Sequence, residues 1–255
     1  MSYWVKITLV ALTVSFIGMT VGFSYPVTKE EMERKFIVEN PLNLSQIDAL
    51  SQYRSCAGHD FRGPSLTGKT ELSPRSLKHY VKVKQKFRGT INQVNAFAPF
   101  DGEISVIDED LGGPTDQQIW LTPSSKSPRQ WQFVFFHINL DPALHKGSKV
   151  VAGQKIGTAN LARGPEGSTD NFDIAVKFTR PLHRPAIDAP MHHMSSGVLA
   201  EYEQYGLNAE KLIIPEKVRD ANDCPVLPKG EGGDGPDIYF PPEAGAKEYL
   251  FLRAQ

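Results

Sequence analysis

The sequence predicts a mostly-β protein built on a single, barrel-like β-sheet with short helical additions. Three runs of residues favour this class: Trp131–Leu140, Val150–Gly157 and Asn171–Phe178. The first run is rich in aromatic and β-branched residues, as buried strands are, and the last places large apolar residues at every second position. The 19 prolines and 21 glycines also favour short strands with turns over a helical bundle.

The composition is that of an ordinary globular chain. The 255 residues are 40% hydrophobic and 22% charged, enough for one large domain or two small ones. A net charge of -1 and a pI near 6.7 give no overall field that would attract nucleic acid. We therefore expect no nucleic-acid partner.

Residues 1–24 predict an export segment. Lys6 precedes the uncharged apolar run Ile7–Phe23. The length of this run suits either a cleaved signal peptide, with Gly22 and Ser24 as small residues at the cleavage site, or a retained membrane anchor. We expect an exported protein, periplasmic, extracellular or anchored facing outside, whose only membrane contact is this segment.

The rest of the chain divides into three parts. Residues 25–53 form a charged lead-in with a short helix over Lys29–Phe36. A β domain is expected over residues 54–180. Residues 181–255 are an appendage packed on that domain, with a helix over Gly197–Tyr205 that Ser195 or Ser196 can cap.

Two segments inside the β domain are predicted to be irregular. Ser73 can cap a short helix or turn that has Pro74 at its first position. His79 and Tyr80 at its end could line a groove, although a histidine in such a basic segment is more often solvated. Asp108–Asp116 carries several carboxylates, but their spacing lacks the order of an EF-hand, so an exposed loop is predicted.

Glycine-containing turns in this region carry a family resemblance. The sequence Ala-Pro-Phe-Asp-Gly occurs at 98–102, Lys-Gly at 146–147 and Gly-Gln-Lys-Ile-Gly at 153–157. With the strand Asn171–Phe178, these motifs resemble those of the lysostaphin/LytM-type zinc peptidases, from about Arg54 to Phe178. The resemblance implies a duplicated hybrid motif β fold, a bound zinc ion and hydrolysis of peptidoglycan or other peptide amide bonds.

The resemblance also assigns site residues. In the family, zinc is held by the His and Asp of H-x-G-x-D and by the second His of H-x-H, and the matching positions here are Cys56, Asp60 and Asp173. The two assisting histidines correspond to Asn171 and His137. Only Asp60 and His137 keep the family's residue type, and the amide of Asn171 cannot act as a base.

His59 and Cys56 each have two interpretations. His59 could replace the missing ligand or act as an acid/base group, or His59-Asp60 could simply form a hydrogen-bonded turn. Cys56 could offer zinc a thiolate, or it could form a disulfide with Cys224, as two cysteines of an exported protein often do. A disulfide would exclude Cys56 as a ligand.

Two functions therefore stay open. One is a divergent, zinc-dependent hydrolase of the cell envelope, which should gather Cys56 or His59, Asp60, His137 and Asp173 around one point. The other is a catalytically inactive envelope module that binds or regulates through the degenerate groove. In either case the expected partner is peptidoglycan or an envelope protein or peptide.

Overall fold

The computed structural model describes residues 26–109, 113–123, 129–163, 167–228 and 238–253. The predicted export segment lies outside these residues. Among the residues described, no helix has the length and apolar character needed to cross a membrane.

Eleven strands of the described chain join in one sheet, and all strand pairings are antiparallel. The strands are β1 (Ile47–Ser51), β2 (His79–Val83), β3 (Asn95–Phe97), β4 (Gly102–Asp108), β5 (Gln117–Pro123), β6 (Gln130–Leu140), β7 (Lys149–Val150), β8 (Lys155–Ala159), β9 (Asn171–Thr179), β10 (Ala186–Asp188) and β11 (Tyr249–Phe251). The predicted mostly-β class is confirmed.

The two most strongly predicted strands, β6 and β9, lie side by side in the middle of the sheet. The main path runs β11-β1-β2-β9-β6-β5-β4-β7, while β10 pairs with β9 and β8 pairs with both β3 and β6. The sheet therefore also takes strands from outside residues 54–180, because β1 precedes this range and β11 follows it.

Four short α-helices of the described chain lie outside the sheet. They are α1 (Lys29–Glu33), α2 (Ser196–Gln204), α3 (Glu216–Asp220) and α4 (Pro242–Ala246), and three 3-10 helices cover Leu44–Gln46, Gln85–Phe87 and Pro190–His193. The capping box of Thr28 begins α1, and the hydroxyl of Ser195 caps α2.

The helix or turn expected to begin at Ser73 is not a helix in the structure. The backbone of Ser76 instead pairs with the segment opposite, since its N–H donates to the carbonyl of Ser55 and its carbonyl accepts from the N–H of Arg54. These strand-like hydrogen bonds require an extended backbone, and the chain continues directly into β2.

The sheet has two different faces. On β9, Phe172, Ile174, Val176 and Phe178 enter the main hydrophobic core. The alternate residues lie on the opposite side, which we call the second face; it carries Trp120, Gln132, Phe136, Asp173 and Lys177 among others. The second face is the one on which the resemblance places the site.

The segment 55–64 crosses the second face and covers part of it. Phe61 packs edge-on against Phe136, with ring centroids 5.7 Å apart. His59 forms a β-bridge with Tyr239 from the C-terminal part of the chain. The second face is therefore partly enclosed by two segments distant in sequence.

Candidate functional site

A buried ion pair occupies the centre of the second face. The ammonium of Lys78 donates to Oδ2 of Asp173 at 2.6 Å and to Nε2 of His59 at 3.1 Å. Lys78 is 3% exposed and Asp173 only 1%. Both charges are removed from water, so the attraction of each to the other offsets its desolvation cost.

The contacts of His59 define its tautomer. Its Nε2 accepts from Lys78, so the proton lies on Nδ1, which donates to the carbonyl of Asp60 at 3.2 Å. His59 thus offers the Lys78 ammonium an acceptor at 3.1 Å.

The charge of Lys78 also determines the ionisation of Asp173. Burial is the largest single influence and by itself would raise the pKa of Asp173, but the ammonium of Lys78 and the neighbouring cations together hold the pKa below its ordinary value. The charge of Arg163 acts in the same direction, as does that of His137 in its protonated form. Asp173 is therefore a carboxylate, ionised and paired.

Aromatic rings surround the rest of the Lys78 ammonium. It lies 4.2 Å from the ring centroid of Phe136, 4.6 Å from that of Phe61 and 5.5 Å from that of Tyr80. Cation–π attraction is strongest where water is excluded, as it is here. The site is built to hold a side-chain cation beside Asp173.

His137 lies at a break in β6. Its φ of 62° is left-handed, and after Phe136, which pairs with Asp173, the strand leaves β9 and continues beside β8. Its Nδ1 donates to Oδ1 of Asp116 at 2.9 Å, which leaves the lone pair on Nε2. His137 therefore keeps the orientation that a general base would need, near Asp173.

Cys56 forms a disulfide with Cys224 in the structure. Its backbone N–H donates to the carboxylate of Glu248 at 2.5 Å. A disulfide sulfur carries no thiolate, so the expectation that Cys56 serves as a metal ligand is corrected.

Asp60 and Asn171 are engaged elsewhere. The carboxylate of Asp60 accepts from Nε and Nη2 of Arg62 and from the backbone N–H of Arg75. The amide of Asn171 donates to Asp170 at 3.0 Å. Both interactions favour structural roles. The turn allowed as an alternative at His59-Asp60 is not formed, because His59 and Phe61 make β-bridges on either side of Asp60.

His79 and Tyr80 point to opposite faces. Tyr80 pairs with Asp173 across β2 and β9 and lies on the second face, where its hydroxyl accepts from the N–H of His59. His79 is fully buried on the core side, with Nδ1 donating to the carbonyl of Ser51 at 2.6 Å. The expectation that His79 lines the groove is corrected, because successive strand residues alternate between faces.

The residues present do not fit the zinc site that the resemblance implies. Zinc needs several imidazole, thiolate or carboxylate ligands converging on one point. Here Asp173 is bonded to Lys78, Asp60 to Arg62, and Cys56 is in a disulfide. Within the described parts of the chain, no cluster of three or more His, Cys, Asp or Glu residues could hold a metal ion.

Sequence reasoning missed Lys78 and Asp116. Lys78, Tyr80 and Lys82 alternate with the apolar Val81 and Val83, a strand pattern that the cap-like Ser73-Pro74 obscured. Asp116 looked like one of several loop carboxylates, and nothing in the sequence connects it with His137. Only the pairing of distant strands brings these groups together.

The sequence matches no protein-family model, and no curated protein is significantly similar to it. The resemblance to lysostaphin/LytM-type peptidases therefore rests on motifs of the chain alone: the glycine-containing turns, Cys56–Asp60, His137 and the strand Asn171–Phe178.

Proposed function

We propose that this chain is an exported cell-envelope protein whose LytM-like domain is a non-catalytic module that binds its ligand on the second face of the sheet. The observation that carries the proposal is the ion pair of Lys78 with Asp173. A lysine ammonium already provides the positive charge that a metal would otherwise provide to this carboxylate.

The cost of opening this ion pair supports the proposal. A zinc ion that took the place of Lys78 beside Asp173 would leave the ammonium in surroundings made of Phe61 and Phe136. Leaving one member of such a buried pair unpaired typically costs about 3–5 kcal/mol. The pair therefore competes directly with metal binding.

A zinc-dependent hydrolase of peptidoglycan or peptide amide bonds remains the second candidate. The hydrogen bond of His137 with Asp116 favours it, because an imidazole oriented by a carboxylate is a common general base. Among the described residues no ligand set could hold the zinc that would polarise the scissile carbonyl, and Lys78 cannot replace the metal because it is only 3% exposed.

Metal content distinguishes the two functions. We expect the full chain, purified without chelators, to contain far less than one equivalent of zinc by mass spectrometry. Added zinc should leave the unfolding midpoint unchanged. The protein should also sediment with insoluble peptidoglycan without releasing soluble fragments.

Variants of the ion pair provide the control. Lys78→Met should lower the free energy of unfolding by about 3–5 kcal/mol, because it leaves Asp173 buried without a partner. Adding Asp173→Asn should recover much of that loss. Near-stoichiometric zinc in the wild type that disappears in Asp173→Ala, or release of peptidoglycan fragments, would contradict the proposal.

A further inference from the structure

A second lysine lies on the same face, further along β9. The ammonium of Lys177 is 4.1 Å from the ring centroid of Trp120 and 5.5 Å from that of Phe61. Unlike Lys78, it has no carboxylate within salt-bridge distance among the residues that the structure describes. Lys177 is thus a cation held by aromatic rings.

The surroundings of Lys177 disfavour its charged form. Burial lowers the pKa of Lys177 to about 8, and the like charge of Lys78 acts in the same direction, while Asp108 opposes them. A cation in this condition gains more from an incoming anion than a lysine in open solvent does.

Two neighbouring side chains carry buried polar atoms that lack partners within the described chain. Gln132 lies directly opposite Lys177 in the β6–β9 pairing and is 8% exposed, and its Oε1 has no hydrogen-bond partner. The indole Nε1 of Trp120 likewise has none. Buried polar atoms are rarely left unsatisfied, so both atoms keep unused hydrogen-bonding capacity beside Lys177.

The donors and acceptors suit a particular ligand chemistry. Lys177 and the indole of Trp120 can only donate, as a carboxylate requires. The unpartnered Oε1 atoms of Gln132 and of Gln130, two residues away on the same face, can accept from peptide N–H groups. Together they match an acidic side chain and the backbone that carries it.

We infer that Trp120, Gln132 and Lys177 form a subsite for a carboxylate of a peptide ligand. The inference rests on the proposed function, in which the second face binds its ligand, and it adds the chemistry of that ligand. The neutral pair of Lys78 and Asp173 bounds the subsite on one side.

The test follows the indole signal of Trp120 by NMR, in the full chain labelled with ¹⁵N-tryptophan. The probes are acetyl-Gly-Glu-Gly-amide and its uncharged counterpart acetyl-Gly-Gln-Gly-amide. We expect the glutamate peptide to shift this signal with a midpoint in the millimolar range. The glutamine peptide should bind about tenfold more weakly or worse, since it lacks the charge-assisted hydrogen bonds.

The chain offers an internal reference and a matched control. Trp131 should not respond, because its indole already donates to the carbonyl of Glu31 and it is 1% exposed. Trp120→Phe assigns the signal. Lys82 is the matched control. It also lies over an aromatic ring on the second face, but Asn171, the residue it pairs with on β9, is about 20 Å along that strand from Lys177.

Substitutions of the two lysines then provide the decisive comparison. Lys177→Met should weaken glutamate-peptide binding about tenfold or more, Lys177→Arg should retain part of it, and Lys82→Met should leave it unchanged. Equal shifts from both peptides, no shift of Trp120, or equal losses in Lys177→Met and Lys82→Met would overturn the subsite.

Failure of the subsite can be told apart from failure of the proposed function. Zinc binding or hydrolysis would refute the non-catalytic module, yet the Trp120 titration would still measure carboxylate binding. If the Trp120 signal did not shift in a protein free of zinc, only the subsite would be refuted.

Discussion

At the scale of single residues, the site is distinguished by which charges are paired inside the protein. Asp173 is matched by Lys78, and His137 by Asp116, whereas Lys177 lies against aromatic rings. Buried charges are tolerated when paired and hydrogen-bonded, so the first two arrangements are stable without a ligand. In the proposed subsite, Lys177 is the residue whose charge a bound carboxylate would stabilise.

The buried imidazole of His79 makes stability depend on pH. Its Nδ1 donates to Ser51, and its Nε2 has no partner among the described residues, so a second proton would find no acceptor. Burial lowers the pKa of His79 from 6.5 to about 4. Between these values the unfolded state binds more protons, so stability present above pH 6.5 is lost as the pH falls towards 4, by about 3 kcal/mol.

Urea unfolding between pH 7 and pH 4 checks this expectation. The variant His79→Asn keeps a donor for Ser51 but does not titrate, so its stability should vary less over this range. His145 is exposed, and His145→Gln should behave like the wild type. A wild-type curve as flat as that of His79→Asn would rule out His79 as the source.

At the scale of elements, the segment 55–64 shapes the second face as much as the strands do. It brings His59 and Phe61 over β2 and β9, and its backbone bonds extend to Ser76 on one side and Phe240 on the other. Its course depends on a left-handed turn at Gly58, whose φ is 70°. This turn lies directly against the ring of Tyr80.

Gly58→Ala should therefore be strongly destabilising. A Cβ at this position would collide with the ring and hydroxyl of Tyr80, and the left-handed backbone adds its own cost. We expect the backbone to contribute about 1–2 kcal/mol and the overpacking about 1–3 kcal/mol more. Chemical denaturation measures the sum.

Gly147→Ala separates the two contributions. Gly147 has a φ of 90°, and nothing lies within 4 Å of the position that the alanine methyl group would occupy. Only the backbone cost should therefore appear. If both alanine variants lost the same stability, the contact with Tyr80 would contribute nothing.

At the scale of the whole molecule, the C-terminal part of the chain completes the β structure. β11 pairs with β1 at the edge of the sheet, and Cys224 is bonded to Cys56 beside the ion pair of Arg219 with Glu248. These contacts join residues far apart in sequence around the segment that covers the second face. Residues 181–255 therefore help to hold in place the segment that covers the second face.

Breaking the disulfide should lower the stability of the whole molecule. The bond spans a sequence separation of 168, and in the chain-entropy account a loop of that size contributes about 5 kcal/mol. The double variant Cys56→Ser/Cys224→Ser should lose up to this amount in denaturant unfolding. A reductant should destabilise the wild type similarly and leave the double variant unchanged.

A count of free thiols in the unfolded, unreduced protein gives an independent check. The chain has 2 cysteines, and neither should react. Two reactive thiols, with no effect of reductant on the unfolding midpoint, would contradict the disulfide.

Local sequence patterns determined β6 and β9 and the faces that these strands present. The alternation in Asn171–Phe178 is enough to place Phe172 and Ile174 on one face and Asp173 on the other, because side chains of a strand alternate strictly. The predicted bounds of β6 and β9 differ from the observed ones by a single terminal residue each. A capping serine likewise located α2.

The tertiary structure alone decided which groups meet. Lys78 and Asp173 are 95 positions apart in sequence, and no local pattern carries information about a contact at that distance. The sequence also left Cys56 open between ligand and disulfide, because the choice depends on where Cys224 lies in space. Sequence periodicity determines the face on which a residue lies, whereas its chemistry depends on the partner that the fold brings to it.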